Sequence, residues 1–189
     1  MKKTILILLM ALVGGVSALA QDGRPIFLGL NGTAGFPFNT RMKDDAMEPY
    51  RENAIGFGVK AGLDFAYPIT DNFALGAYIA IGSGPSFIFR STEEGMHDIS
   101  CVFDATAGLL MLAGNLREQP FIIGVAPLTG FGYCDREYLP VEVRFGRLLK
   151  NDFYITGNLL FGVPPVLGIM FEPSISLGFN FGPRLKRAK

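Results

Sequence analysis

The single histidine, His97, stands among Glu93, Glu94, Asp98 and Ser100. A histidine beside a serine and a carboxylate is the composition of a nucleophilic triad, in which imidazole takes the hydroxyl proton and the carboxylate orients the ring. This group falls in a charged connecting segment, where a histidine is ordinarily a solvated side chain. The same residues lack the spacing of a closed metal-ligand set. Gly82-Ser83-Gly84-Pro85 is glycine-rich, but it lacks the Lys-Ser/Thr of a phosphate loop and reads as a bend at a strand end. No catalytic, cofactor-binding or metal-binding residue is assigned on these grounds.

A second set of charges is spread along the chain: Lys60, Asp64, Asp104, Glu142, Arg144 and Glu172. Each lies on the polar phase of an alternating segment. If that phase is enclosed, each charge must find a partner, because breaking a buried ion pair costs about 3 to 5 kcal/mol. The structural reading is a salt-bridge network that plugs an interior, with Lys60, Asp104, Glu142 and Arg144 at similar depth. The functional reading is a gate or a narrow proton or ion path.

The elements that must position these residues are strands. Ile55, Phe57, Val59, Ala61, Leu63, Phe65 and Tyr67 alternate with Gly56, Gly58, Lys60, Gly62, Asp64 and Ala66. Phe171, Pro173, Ile175, Leu177, Phe179 and Phe181 alternate with Glu172, Ser174, Ser176, Gly178, Asn180 and Gly182. A period of two means sheet, since helical spacing would scatter both sets around a cylinder. The same test predicts eight strands, near 26 to 36, 54 to 67, 72 to 82, 100 to 113, 120 to 131, 138 to 148, 153 to 162 and 170 to 182. Leu109 to Leu112 and Phe121 to Val125 are apolar in both phases, which makes the fourth and fifth the weakest. Connections after the second, fourth and sixth strands are short (68 to 71, 114 to 119 and 149 to 152). Those from Pro37 to Asn53 and from Arg90 to Ile99 are longer and charged. Alternation of this kind is that of an up-and-down membrane barrel, with tight turns at one end and longer loops at the other.

The composition of the two phases sets the direction. A soluble barrel needs a solvent phase rich in Lys, Glu, Asp and Thr; here the polar phase is mostly Gly, Ser, Thr, Asn and Tyr. Small side chains suit the narrow interior of an eight-stranded barrel, which side chains just fill. The apolar phase then faces lipid, where a charge near the midplane costs roughly 2 to 4 kcal/mol. Arg147 is a charge on the apolar phase, close enough to a turn to reach the membrane interface. The expected fold is all-β, an eight-stranded antiparallel up-and-down transmembrane barrel. A hairpin of the fourth and fifth strands centred on the Arg117-Glu118 bond sets Cys101 opposite Cys134 near the loop end, and a disulfide between them is expected.

The first twenty residues, MKKTILILLMALVGGVSALA, have the basic, apolar and A-x-A order of a secretory signal, with cleavage between Ala20 and Gln21. The expected organisation is a signal at 1–20, a barrel at 21–182 and a basic tail at 183–189. Balanced charge, with 17 basic and 17 acidic residues, argues against a nucleic-acid partner. The apolar tip around Pro164-Pro165 could pack on the rim or touch a partner.

The signal ending Ala-Leu-Ala, the segment Tyr67-Pro-Ile-Thr-Asp-Asn-Phe-Ala-Leu-Gly-Ala-Tyr78 and the end Ile175-Ser-Leu-Gly-Phe-Asn-Phe181 together resemble the small outer-membrane barrels of Gram-negative bacteria. The group comprises OmpA/OmpX-like and porin-family barrels, including the PorT-like members of the Bacteroidota. The resemblance implies a monomer of the cell outer membrane, in contact with outer-membrane lipid and lipopolysaccharide and without a cofactor. It also implies insertion by the barrel assembly machinery, with Gly178, Phe179 and Phe181 resembling the terminal-strand signal. Seven residues follow Gly182, where an aromatic usually ends such chains. The leading expectation is a structural or surface-interaction role through external loops whose partner is unidentified. The alternatives are a lipid-modifying enzyme using His97 and a soluble periplasmic barrel with a ligand cavity, in the manner of lipocalins.

Overall fold

The computed structural model describes residues 26–43, 50–91, 95–129, 139–163 and 168–182, and these contain ten strands. They are β1 (Phe27–Gly35), β2 (Phe38–Lys43), β3 (Tyr50–Gly56), β4 (Gly58–Thr70), β5 (Phe73–Arg90), β6 (Met96–Ala113), β7 (Phe121–Thr129), β8 (Leu139–Leu148), β9 (Phe153–Val163) and β10 (Gly168–Asn180). Every pairing is antiparallel, and β1 closes the sheet by pairing with both β4 and β10.

The ten elements make eight barrel staves. β2 carries on from β1 in one register against β10, with Gly35 opposite Ser174 and Phe38 opposite Phe171. β3 and β4 likewise share one register against β5, with Gly56 opposite Ser86 and Val59 opposite Ser83. The breaks at Phe36-Pro37 and Phe57 fall where prolines line up across the sheet. Pro37, Pro85 and Pro173 have no N–H to donate, yet their carbonyls accept from Gly56 (2.9 Å), Phe57 (3.1 Å) and Phe36 (3.0 Å). The fold is therefore a closed, eight-stranded antiparallel barrel.

Three boundaries differ from the sequence expectation. The charged stretch after Pro37 contains the paired strands β2 and β3, whose register sets opposite charges at facing positions. Arg41 lies opposite Glu52, and Glu52 opposite Arg90. Opposite charges at such positions support a ladder, although along the chain they read as a solvated loop. Gly82 to Pro85 is not a bend, since β5 runs straight through it to Arg90. Gly84 is needed there because a Cβ would stand 1.8 Å from the Phe57 carbonyl oxygen on the neighbouring stave. The connection between β5 and β6 is correspondingly short, as β6 begins at Met96. At the other end, β4 and β5 are joined by Asp71 and Asn72 after a bulge between Pro68 and Thr70.

Outward positions are mostly apolar between the strand ends. Phe153 and Phe161 on β9, Phe171 and Phe179 on β10, and Phe57 and Phe65 on the second stave are each eight residues apart. That spacing is about 26 Å along a strand rising ~3.3 Å per residue, or about 20 Å along the normal at a tilt of ~40°. Phe153 packs on Phe179 (5.2 Å between centroids) and Phe121 on Phe145 (5.9 Å) at the turn end, and Phe36 on Phe57 (5.5 Å) nearer the loop end. Between these rings lie Leu109 and Leu177, each 62% exposed, and Ile175 at 58%. β2, β3 and the outer parts of β5 and β6 rise beyond the upper ring.

The interior has two halves of opposite character. At the turn end Phe27, Leu110, Leu112, Leu116, Ile122, Leu148 and Tyr154 form an apolar cluster with Ala66, Ala74 and Ala126. The inward phase, expected to be mostly small and polar, is thus apolar at this end. It also explains why the fourth and fifth strands read as apolar in both phases: one phase faces out, and the other fills this cluster.

Candidate functional site

Above the apolar cluster the inward side chains are polar, and the six predicted charges are all there. Lys60, Asp64, Asp104, Glu142, Arg144 and Glu172 are each at most 7% exposed. Strand alternation places them: on β4, Lys60 and Asp64 share the buried phase with Gly58, Gly62 and Ala66, while the intervening residues face out.

They form two groups, linked by Glu142, which interacts electrostatically with both Lys60 and Arg144. In the lower one, Arg144 Nη1 donates to Asp64 Oδ1 at 2.7 Å, and the Tyr154 hydroxyl and Asn31 amide donate to Oδ2 at 2.5 and 3.0 Å. Arg144 also donates from Nε to Thr156 Oγ1 at 3.0 Å and lies 4.9 Å over the Tyr78 ring. The Tyr78 hydroxyl in turn donates to Glu142 Oε1 at 3.1 Å. In the upper group Lys60 Nζ forms ion pairs with Asp104 and, at 2.9 Å, with Glu172. A wall of small polar residues runs between them: Thr33 with Ser176 (2.7 Å), Asn158 with Ser176 (2.7 Å) and with Ser174 (3.2 Å).

The expectation of a common depth for Lys60, Asp104, Glu142 and Arg144 therefore needs correction. Arg144 reaches the level of Asp64, whereas Lys60 belongs with Asp104 and Glu172. The stagger of strands around a tilted barrel means that distance from the loop end does not measure depth across the interior. Tyr154, Tyr78, Asn31, Thr156 and Asn158 complete the lower group; their phase marked them as inward, but nothing in sequence said which carboxylate each would meet.

Within these two groups two cations face four carboxyl groups, and Glu52 is buried as well. No hydrogen bond satisfies Thr106 Oγ1, Asp104 Oδ1 or Glu172 Oε2 among the described residues. The space left is small. One void of about 10 Å³ lies beside Lys60, Asp104 and Glu172, and another of about 10 Å³ beside Phe27, Leu116 and Leu148. Each is close to the minimum that holds a single water.

The remaining candidates are dispersed. Met96 pairs with Phe89 and Asp98 with Ile88, so His97 sits at a register irregularity, with its side chain outside the described residues. Glu93 and Glu94 lie outside them too, Asp98 is exposed and accepts from the Ile99 N–H at 2.7 Å, and Ser100 pairs with Ser86. Among the described residues no group of His, Cys, Asp and Glu is placed to hold a metal ion. Cys101 is exposed on β6, while Cys134 lies outside the described residues. So do Ala20 and Gln21, the Pro164-Pro165 tip and the tail from Pro183. Arg147 is exposed near the β8 terminus, where its Nε donates to the Gln119 carbonyl at 3.3 Å.

No protein-family model matches the chain, and no curated protein matches it. Among solved structures, the translocator domain of autotransporter NalP from Neisseria meningitidis is similar at 9% identity and a TM-score of 0.35, over 95% of this chain and 97% of that one.

Proposed function

We propose that this chain is an integral outer-membrane barrel with a side-chain-filled lumen, and that its role is structural or carried by its surface loops. The observation that supports this reading is the reversed polarity of the barrel. Charged and hydrogen-bonded side chains are enclosed, while Leu, Ile and Phe cover the outside between two aromatic rings. A soluble lipocalin-like barrel has the opposite arrangement and would leave this surface in water. The apolar cluster at the turn end and the two charge groups above it support a lumen that carries no solute. The staves that rise past the upper ring favour a surface role for the first and second loops, with the tight turns, including Asp71, on the periplasmic side. The small porin-family barrels of Gram-negative bacteria remain the group it resembles.

Heat-modifiable gel mobility after detergent extraction tests this reading. The folded barrel should migrate faster until it is boiled, and the protein should stay with membranes through a urea wash. Release without detergent would instead favour the soluble barrel. For the enzymatic alternative, His97→Ala is expected to leave lipid A unchanged; a loss of modified lipid A would transfer the role to that histidine.

A further inference from the structure

Three cations gather on the rim at the turn end, with Glu118 and Asp71 as the neighbouring carboxylates. Arg117 lies in the turn between β6 and β7, Arg147 on the outward face near the end of β8, and Lys150 in the turn between β8 and β9. With Asn115, Glu118 and Phe121 they line an open cleft of about 690 Å³, within the usual range of small-molecule sites. The Arg147 guanidinium is anchored, lying 5.2 Å over the Phe121 ring with Nε on the Gln119 carbonyl. No carboxylate pairs with Arg147 or Lys150 among the described residues. Arg117 approaches Asp71 only at 3.9 Å, with both side chains well exposed, which is a weak interaction in water.

Below the cations the surface changes character at once. Phe121 lies directly opposite Arg147 in the β7–β8 ladder and stacks on Phe145, and Val125 and Val143 continue the apolar face up the barrel. A ligand that satisfies both parts is anionic at one end and apolar at the other. We infer that this cleft binds the phosphodiester headgroup of an anionic phospholipid, with Arg147 and Lys150 as its main donors and the acyl chains lying along Phe121 and Phe145. Arg is suited to such a group because its planar fork donates two parallel bonds to phosphate oxygens. A free phosphate would satisfy the cations and leave the aromatic floor unused. The inference rests on the membrane reading above.

The test uses the full barrel folded into mixed vesicles, then extracted in mild detergent and weighed intact by native mass spectrometry to count retained lipids. Wild type should retain phosphatidylglycerol over phosphatidylcholine about tenfold, the ratio set by one or two charge-assisted bonds. Arg147→Gln and Lys150→Gln should each reduce that preference severalfold, and Arg51→Gln, at the opposite end, should not. Lys150 is exposed in its turn, so Lys150→Gln is expected to fold as wild type does. Equal retention of the two lipids by wild type, or an unchanged preference in both variants, would overturn the inference. So would displacement of the lipid by excess inorganic phosphate, which would identify a simple anion site. A barrel that fails to float with vesicles defeats the membrane reading itself; one that floats without headgroup preference defeats only this site.

Discussion

The Tyr154 hydroxyl donates to Asp64 Oδ2 at 2.5 Å while Arg144 holds Oδ1 at 2.7 Å, so one carboxylate joins β9 and β8 to β4 across the interior. Removing it strands a buried guanidinium. Asp64→Ala is expected to destabilise the barrel by about 3 to 5 kcal/mol. Tyr154→Phe, which deletes one donor and leaves the ion pair, should cost about 1 to 2 kcal/mol. Urea unfolding in vesicles, followed by loss of the fast-migrating band, gives both values; equal costs would show that the Arg144–Asp64 pair adds nothing beyond the tyrosine bond.

Glu142 should respond differently. It receives the Tyr78 hydroxyl but has no ion-pair partner at salt-bridge distance among the described residues, and it adds to the acid excess around Lys60 and Arg144. Glutamine keeps an acceptor for Tyr78 and removes a buried charge. Glu142→Gln is expected to be neutral or to raise the urea midpoint, in contrast to Asp64→Asn, which should lower it. A drop as large as that of Asp64→Asn would mean that Glu142 is needed as an anion.

Gly178 makes room for the same tyrosine. A Cβ there would stand 2.2 Å from the Tyr154 ring, so Gly178→Ala forces the ring to move and disturbs its bond to Asp64. The expected cost is about 1 to 3 kcal/mol, and Tyr154→Leu should relieve part of it in a double-mutant cycle. Gly157→Ala is the control, because the nearest atom to its added Cβ is 4.0 Å away.

The β6–β7 ladder shifts by one residue between Ala107 and Leu109. Beyond the shift, Thr106 faces Thr129 and Ala107 faces Leu128. Cys101, farther out on β6, is free and exposed in the structure, and Cys134 lies outside the described residues. We propose, from the hairpin spacing in the sequence alone, a disulfide between Cys101 and Cys134. Thiol labelling of unreduced, unfolded protein should find no free thiol, and two reactive thiols would exclude the bridge.

How much of this was legible in the chain follows from what alternation encodes. A period of two assigns every residue to one of two faces, and the composition of the faces says which is enclosed. Lys60, Asp64, Asp104, Glu142, Arg144 and Glu172 could thus be placed indoors from sequence. The same logic failed wherever both faces carry one chemistry. Leu110, Leu112 and Ile122 looked like redundant hydrophobicity, and Arg41 and Glu52 looked like loop charges, because cross-strand pairing leaves no mark on a single segment.

By itself, then, the sequence determined most of the strands, the all-β class and which face of each clear alternation is enclosed, since these depend on neighbours along the chain. Only the tertiary structure decided that Arg144 meets Asp64 and Lys60 meets Asp104 and Glu172, that Leu116 and Phe27 close one end, and that Arg117, Arg147 and Lys150 share a cleft. Those contacts join residues far apart in sequence, and strand stagger and barrel closure set which of them meet.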